Sequence, residues 1–162
     1  MPGPYPITFL SIRSDPEAVR SLFHFYFFQM PGAAAAVNVE GLPFIDYLWK
    51  LWSPTFRNDE HLRSIRETLS APGTLAAALK DYRGLFEAGR AGRLPMNEMH
   101  TPTLTIYGSD DPTARHSMKE ESLFTGPHTR IVLPDVGHFP HLAREEEVTG
   151  LIADWFVRHA SS

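Results

Sequence analysis

The sequence predicts an α/β fold in which helices come first and a strand–helix–strand–helix piece of parallel sheet comes last. Three observations predict it. Residues 14–90 carry apolar side chains at helical spacing and are cut into segments by proline and glycine. Two β-branched runs, "TLTIYG" at 103–108 and "TRIVLP" at 129–134, are bounded by proline and glycine and read as buried strands. A helix-like stretch separates these runs and another follows, the order that gives parallel strands with helices packed on the sheet.

The elements follow in chain order. "SDPEAVRSLFHFYFFQM", 14–30, reads as one helix, with Ser14 or Asp15 as its cap and Pro16 in its first turn. "MPGAAAAVN" ends it. "GLPFIDYLWKLW", 41–52, is a short aromatic-rich helix stopped by Ser53 and Pro54. Asn58 caps a third, with Leu62, Ile65 and Leu69 on one face. Pro72, Gly73 and Thr74 open a fourth, whose stripe is Leu75, Leu79, Tyr82 and Phe86. After "GRLPMNEMHTP" the strands begin, with a helix expected over 113–124 between them. From Glu145 the spacing Val148, Leu151, Ile152, Trp155, Phe156 describes an amphipathic helix. Its leading glutamates and trailing Arg158 and His159 suit the helix dipole. Two strands make no stable doubly wound sheet by themselves, so the chain is expected to be part of a larger fold.

Composition narrows the function classes. A length of 162 residues allows one real core. Apolar residues at 43% and charged residues at 21% exclude a disordered chain. A net charge of −4 with mixed signs offers no basic field to nucleic acid. With 0 cysteines there is no disulfide, thiol nucleophile or thiolate metal site. "MPGPYPITFL" lacks the basic and long apolar regions of a secretory signal, and "LFHFYFF" is far too short to span a bilayer. The expectation is a soluble, cytoplasmic protein with no membrane and no nucleic-acid partner.

The chemistry gathers at the strand ends. Asp110 and Asp111 follow the first strand in "YGSDDP", and His138 follows the second in "DVGHF". In parallel sheets the carboxyl ends of the strands share one edge, where ligands bind. Two loops there can bring a carboxylate to an imidazole nitrogen. Such a ring, with an ordinary pKa of roughly 6.5, takes a proton from a nucleophile or a water. Each residue also has a structural reading. His138 can cap the following helix, Asp111 can cap through the turn at Pro112, and Tyr82 and His24 can be packing rings. His138 and His141 lie three apart, but no H-E-x-x-H signature accompanies them, so no metal is expected.

"TPTLTIYGSDDP" with "VLPDVGHFPHL" is similar to the acid and histidine segments of the α/β-hydrolase superfamily. "FHFYFFQMPG" and "ALKDYRG" resemble cap segments of its epoxide hydrolase and haloacetate dehalogenase-like branch. The resemblance runs from Met1 to about Arg158. It implies a partial α/β-hydrolase fold: residues 1–90 a helical cap with its flanking loop and return helix, and 91–162 the C-terminal part of the core. Asp111, three residues after Gly108, matches the acid, and His138 the catalytic histidine. Asp110 falls one residue early and is expected in solvent or as a local turn acceptor. Tyr82, before Arg83, matches the cap tyrosine that binds a ring oxygen or leaving group.

The chain departs from the family pattern at His24, where epoxide hydrolases have a first cap tyrosine. A histidine near this place is similar to the halide-binding cap of haloacetate dehalogenases. Ala143 stands where a glutamate often follows "HL".

The resemblance also implies an absence. No G-x-S-x-G or equivalent aspartate elbow occurs in the sequence, and "MPGPYP" resembles the loop just before the cap. The implied reaction has two steps. A carboxylate nucleophile forms an alkyl-enzyme ester, and His138, held by Asp111, activates water to hydrolyse it. Tyr82 with His24 would stabilise the leaving oxygen or halide, and no cofactor is needed. The isolated chain is then expected to be inactive. Two alternatives stay open: a haloacid dehalogenase or esterase completed by a separate N-terminal polypeptide, and a non-catalytic fragment that forms a homo-oligomer. Only a completed protein would bind a small-molecule substrate.

Overall fold

The computed structural model describes residue 12 and residues 14–93 and 97–159. The opening "MPGPYP" loop lies outside them. Among the described residues, six helices whose ends are both described precede the sheet: α1 (Pro16–Ser21), α2 (His24–Phe27), α3 (Ala33–Val37), α4 (Pro43–Trp52), α5 (Asp59–Ser70) and α6 (Thr74–Arg90). Strands β1 (Thr103–Gly108) and β2 (His128–Leu133) flank a 3₁₀ segment at Ser117–Leu123, and α7 (Pro140–Ala143) and α8 (Glu145–His159) close the chain. The described residues thus form a helix-rich, partial α/β fold with a two-stranded parallel sheet.

Local chemistry explains most of these boundaries. Asp15 caps α1, its Oδ1 accepting from the amides of Glu17 and Ala18, and Pro16 sits in the first turn. Asn58 Oδ1 accepts from the His61 amide at 2.9 Å and starts α5. Gly73, at φ 81°, opens α6 in a conformation that glycine adopts without strain.

Three expectations need correction. The stretch 14–30 is two short helices, broken at Leu22 and Phe23. The break serves packing: Leu22 and Phe25 join Ile12 and Ala18 in one core cluster, while Phe28 joins Ala33, Val37, Leu48, Leu75 and Leu79 in another. The alanines after Gly32 do not merely end a helix. They form α3, which buries Ala33 and Val37, as alanine's high propensity permits. Residues 113–124 are turns and a 3₁₀ segment. The Ala114 carbonyl, which an α-helix would use internally, accepts from Arg130 Nη2 at 2.6 Å and Ser117 Oγ at 2.7 Å.

β1 and β2 pair in parallel from Thr103–His128 to Gly108–Leu133. Leu133, Val136 and Val148 form a third core cluster beneath Ile106, Ile131 and Leu151, so α8 is anchored to the sheet by its first turns. Two residues of the expected α8 stripe stay uncovered. Val148 and Trp155 are buried, but Ile152 and Phe156 are exposed, Phe156 at 67%. Among the described residues, no helix is long and apolar enough to cross a membrane.

Candidate active site

The two strand-end loops are stitched together by the backbone. The Ser109 amide donates to the Leu133 carbonyl, and the Asp110 amide to the Val136 carbonyl at 2.9 Å. Gly108 permits this approach, because a Cβ there would lie 2.0 Å from the Val136 oxygen. The stitching brings Asp111 to His138, with Nδ1 of the ring 2.8 Å from Asp111 Oδ2.

Asp111 is nearly buried and richly bonded. Its Oδ1 accepts from the Thr113 amide at 2.7 Å and the Thr113 hydroxyl at 2.8 Å. Burial alone would raise its pKa. The His138 hydrogen bond and charge, with the two Thr113 donors, outweigh burial and hold it below the ordinary 3.8. Above that value the carboxylate is ionised and can only accept, so His138 Nδ1 carries the proton, and in the neutral ring Nε2 is the nitrogen with the lone pair. Asp110 is exposed and takes a bond from Ser109 Oγ at 3.1 Å.

The helical part delivers the other two sequence-predicted residues to the same neighbourhood. His24 is 2% exposed. Its ring centroid lies 5.6 Å from that of Tyr82 and 4.7 Å from that of Trp52. Trp52 in turn lies 5.7 Å from the His138 ring. Burial, and then the charge of His138, lower the His24 pKa from 6.5 to about 3, so this ring is neutral near pH 7. Burial raises the Tyr82 pKa, so its hydroxyl keeps its proton.

The order "FFQ" then "YR" has a physical cause. Gln29 Nε2 donates to the Phe25 carbonyl at 2.9 Å and the Tyr82 carbonyl at 3.3 Å. Arg83 Nε donates to the Phe28 carbonyl at 3.0 Å. These bonds lock α6 onto α2 and fix Tyr82 beside His24.

The sequence placed Trp52 at the end of an aromatic-rich helix and gave it no role at the site. Its indole Nε1 is buried without a hydrogen-bond partner, as is Nδ1 of His24. Buried polar groups are normally satisfied, and these two unpaired atoms lie in the ring cluster that reaches His138. A tryptophan at the end of an aromatic helix carries no sequence signal that separates this position from packing. Among the described residues, no three metal-ligating side chains come together.

No family model and no curated protein matches the sequence. Solved structures do. A "putative epoxide hydrolase" from Klebsiella pneumoniae is similar with a TM-score of 0.71 at 24% identity, over 87% of this chain and 51% of that one. Cfl2 from Burkholderia cenocepacia is similar with a TM-score of 0.61 at 18% identity, over 96% of this chain and 52% of that one. The chain spans about half the length of both. At these identities the likeness is one of fold.

Proposed function

We propose that this chain supplies the histidine–acid pair and the helical cap of an α/β-hydrolase of the epoxide hydrolase-like branch. Residues 1–90 are the cap and 91–162 the end of the core; the nucleophile comes from the half that this chain does not span. The observation that carries the reading is the 2.8 Å bond between His138 Nδ1 and Asp111 Oδ2 at the joined strand ends.

The reaction runs in two steps. A carboxylate from the other half attacks a carbon of the substrate, and the carbon–oxygen or carbon–halogen bond breaks. Tyr82 donates its proton or a hydrogen bond to the leaving atom. The Trp52 indole Nε1 and the neutral His24 Nδ1, both unpaired among packed aromatic rings, supply further polar contacts. Water then attacks the resulting ester, His138 Nε2 takes its proton, and Asp111 stabilises the imidazolium. The tetrahedral intermediate collapses, the imidazolium returns its proton to the departing alkoxide or to Tyr82, the alcohol leaves and the carboxylate is restored.

Turnover by the longest natural polypeptide that contains this chain tests the reading. The substrate panel is a terminal epoxide, a haloacetate and an aryl ester. Diol or alcohol formation that His138→Ala abolishes is expected with the epoxide or haloacid. Turnover confined to the ester would instead favour the esterase alternative. Undiminished activity in His138→Ala would remove the histidine from the mechanism.

A further inference from the structure

His138 is gripped from the helical side as well as from the sheet. Its amide donates to the Trp52 carbonyl, the last residue of α4, at 2.8 Å. Carbonyls at a helix end lack partners within the helix, so this bond satisfies one of them. The preceding residue touches the same point. A Cβ on Gly137 would lie 2.5 Å from both Ser53 Cα and the Trp52 oxygen. These are backbone atoms, which no side-chain rotation can clear. Thr55 Oγ1 donates to the Asp135 carbonyl at 3.0 Å. The Trp49 and Phe139 rings stack 4.6 Å apart at 23°. Residues 135, 137, 138 and 139 therefore each lean on the stretch 49–55.

We infer that α4 regulates the proposed site: the His138–Asp111 bond forms only while the end of α4 is docked on the 135–139 loop, with Gly137 and Thr55 as positioning residues. Any displacement of the end of α4 pulls on the backbone of His138 through the Trp52 carbonyl bond. The consequence for catalysis rests on the hydrolase reading. The docking itself does not, and it can be read without substrate in the longest natural polypeptide that contains this chain.

The test uses nuclear magnetic resonance on two protons of His138. Hydrogen exchange of the His138 amide reports the docking on Trp52. The low-field Nδ1 proton, identified by its loss in Asp111→Asn, reports the bond to the acid. Thr55→Val removes one exposed hydrogen bond and should speed amide exchange roughly five-fold, the usual worth of one such bond. The Nδ1 proton should exchange faster in step. Gly137→Ala should abolish amide protection and the low-field signal together, while the Trp155–His159 ring contact keeps its chemical shifts. If Gly137→Ala does not fold, Thr55→Val alone decides. Faster amide exchange with an unchanged Nδ1 proton would show that the sheet alone holds the ring, and would overturn the inference. So would unchanged behaviour of both protons.

Discussion

Replacing His24 by phenylalanine should flatten the acid dependence of stability by about 2 kcal/mol. His24 is 2% exposed among Phe25, Phe28, Trp52 and Tyr82, with Nδ1 unpartnered. Its pKa falls from 6.5 to about 3 on folding, through burial first and the His138 charge second. Below pH 6.5 the unfolded chain therefore binds a proton that the folded chain refuses. The neutral ring's full contribution is present above pH 6.5 and is lost as pH falls towards about 3. Each pH unit within that window is worth about 1.4 kcal/mol. Going from pH 7.5 to 5.0 crosses roughly 1.5 units of it, which gives about 2 kcal/mol.

Asp111 does not interfere, because its folded pKa lies below 3.8 and its contribution is lost only in more acid solution. The assay is urea unfolding followed by tryptophan fluorescence at pH 7.5 and 5.0, for the wild type and His24→Phe. Comparing the two proteins cancels the histidines that both retain. An identical loss of stability in both would refute the picture of His24 as a buried neutral ring.

Other expectations can be checked alongside. In the catalytically complete protein, Asp111→Asn should slow hydrolysis on the order of a hundred- to ten-thousand-fold, and Asp110→Asn should leave it nearly unchanged. Comparable losses in both, measured as kcat, would reassign the acid. Asn58→Ala should cost about 1 kcal/mol in urea unfolding through loss of the α5 cap; no change would show the cap to be redundant. The exposed Phe156 and Val157 of α8, the latter at 80%, should promote self-association of the isolated chain. Light scattering should show mass rising with concentration, and Phe156→Glu with Val157→Lys should suppress it. A monomer at all concentrations would contradict this.

The candidate site and the fold were legible to different degrees. The two strands, the caps at Asp15 and Asn58, and the α6 stripe follow from short-range rules of proline, glycine and side-chain oxygen, and the structure keeps them. The same rules could not foresee the break at Leu22. That break answers a tertiary demand, since neighbouring aromatics must reach two separate clusters. The 3₁₀ segment escaped for a similar reason: Arg130, far along the chain, takes the Ala114 carbonyl. The pairing of Asp111 with His138 was readable because loops after parallel strands share an edge. The Trp52 contacts were not, because a helix-end carbonyl and an indole leave no mark in sequence spacing. Ile152 and Phe156 of the α8 stripe lie in solvent, so apolar periodicity named the face without naming what covers it.

The most direct test of the account is the intact mass of the His138→Ala variant after exposure to excess terminal epoxide. It uses the longest natural polypeptide that contains this chain. If His138 activates the water that cleaves an alkyl-enzyme ester, the variant should gain the mass of one epoxide and keep it, while the wild type shows no adduct and releases diol. A variant that carries no adduct and forms diol at the wild-type rate would contradict the claim that His138 and Asp111 are the water-activating pair.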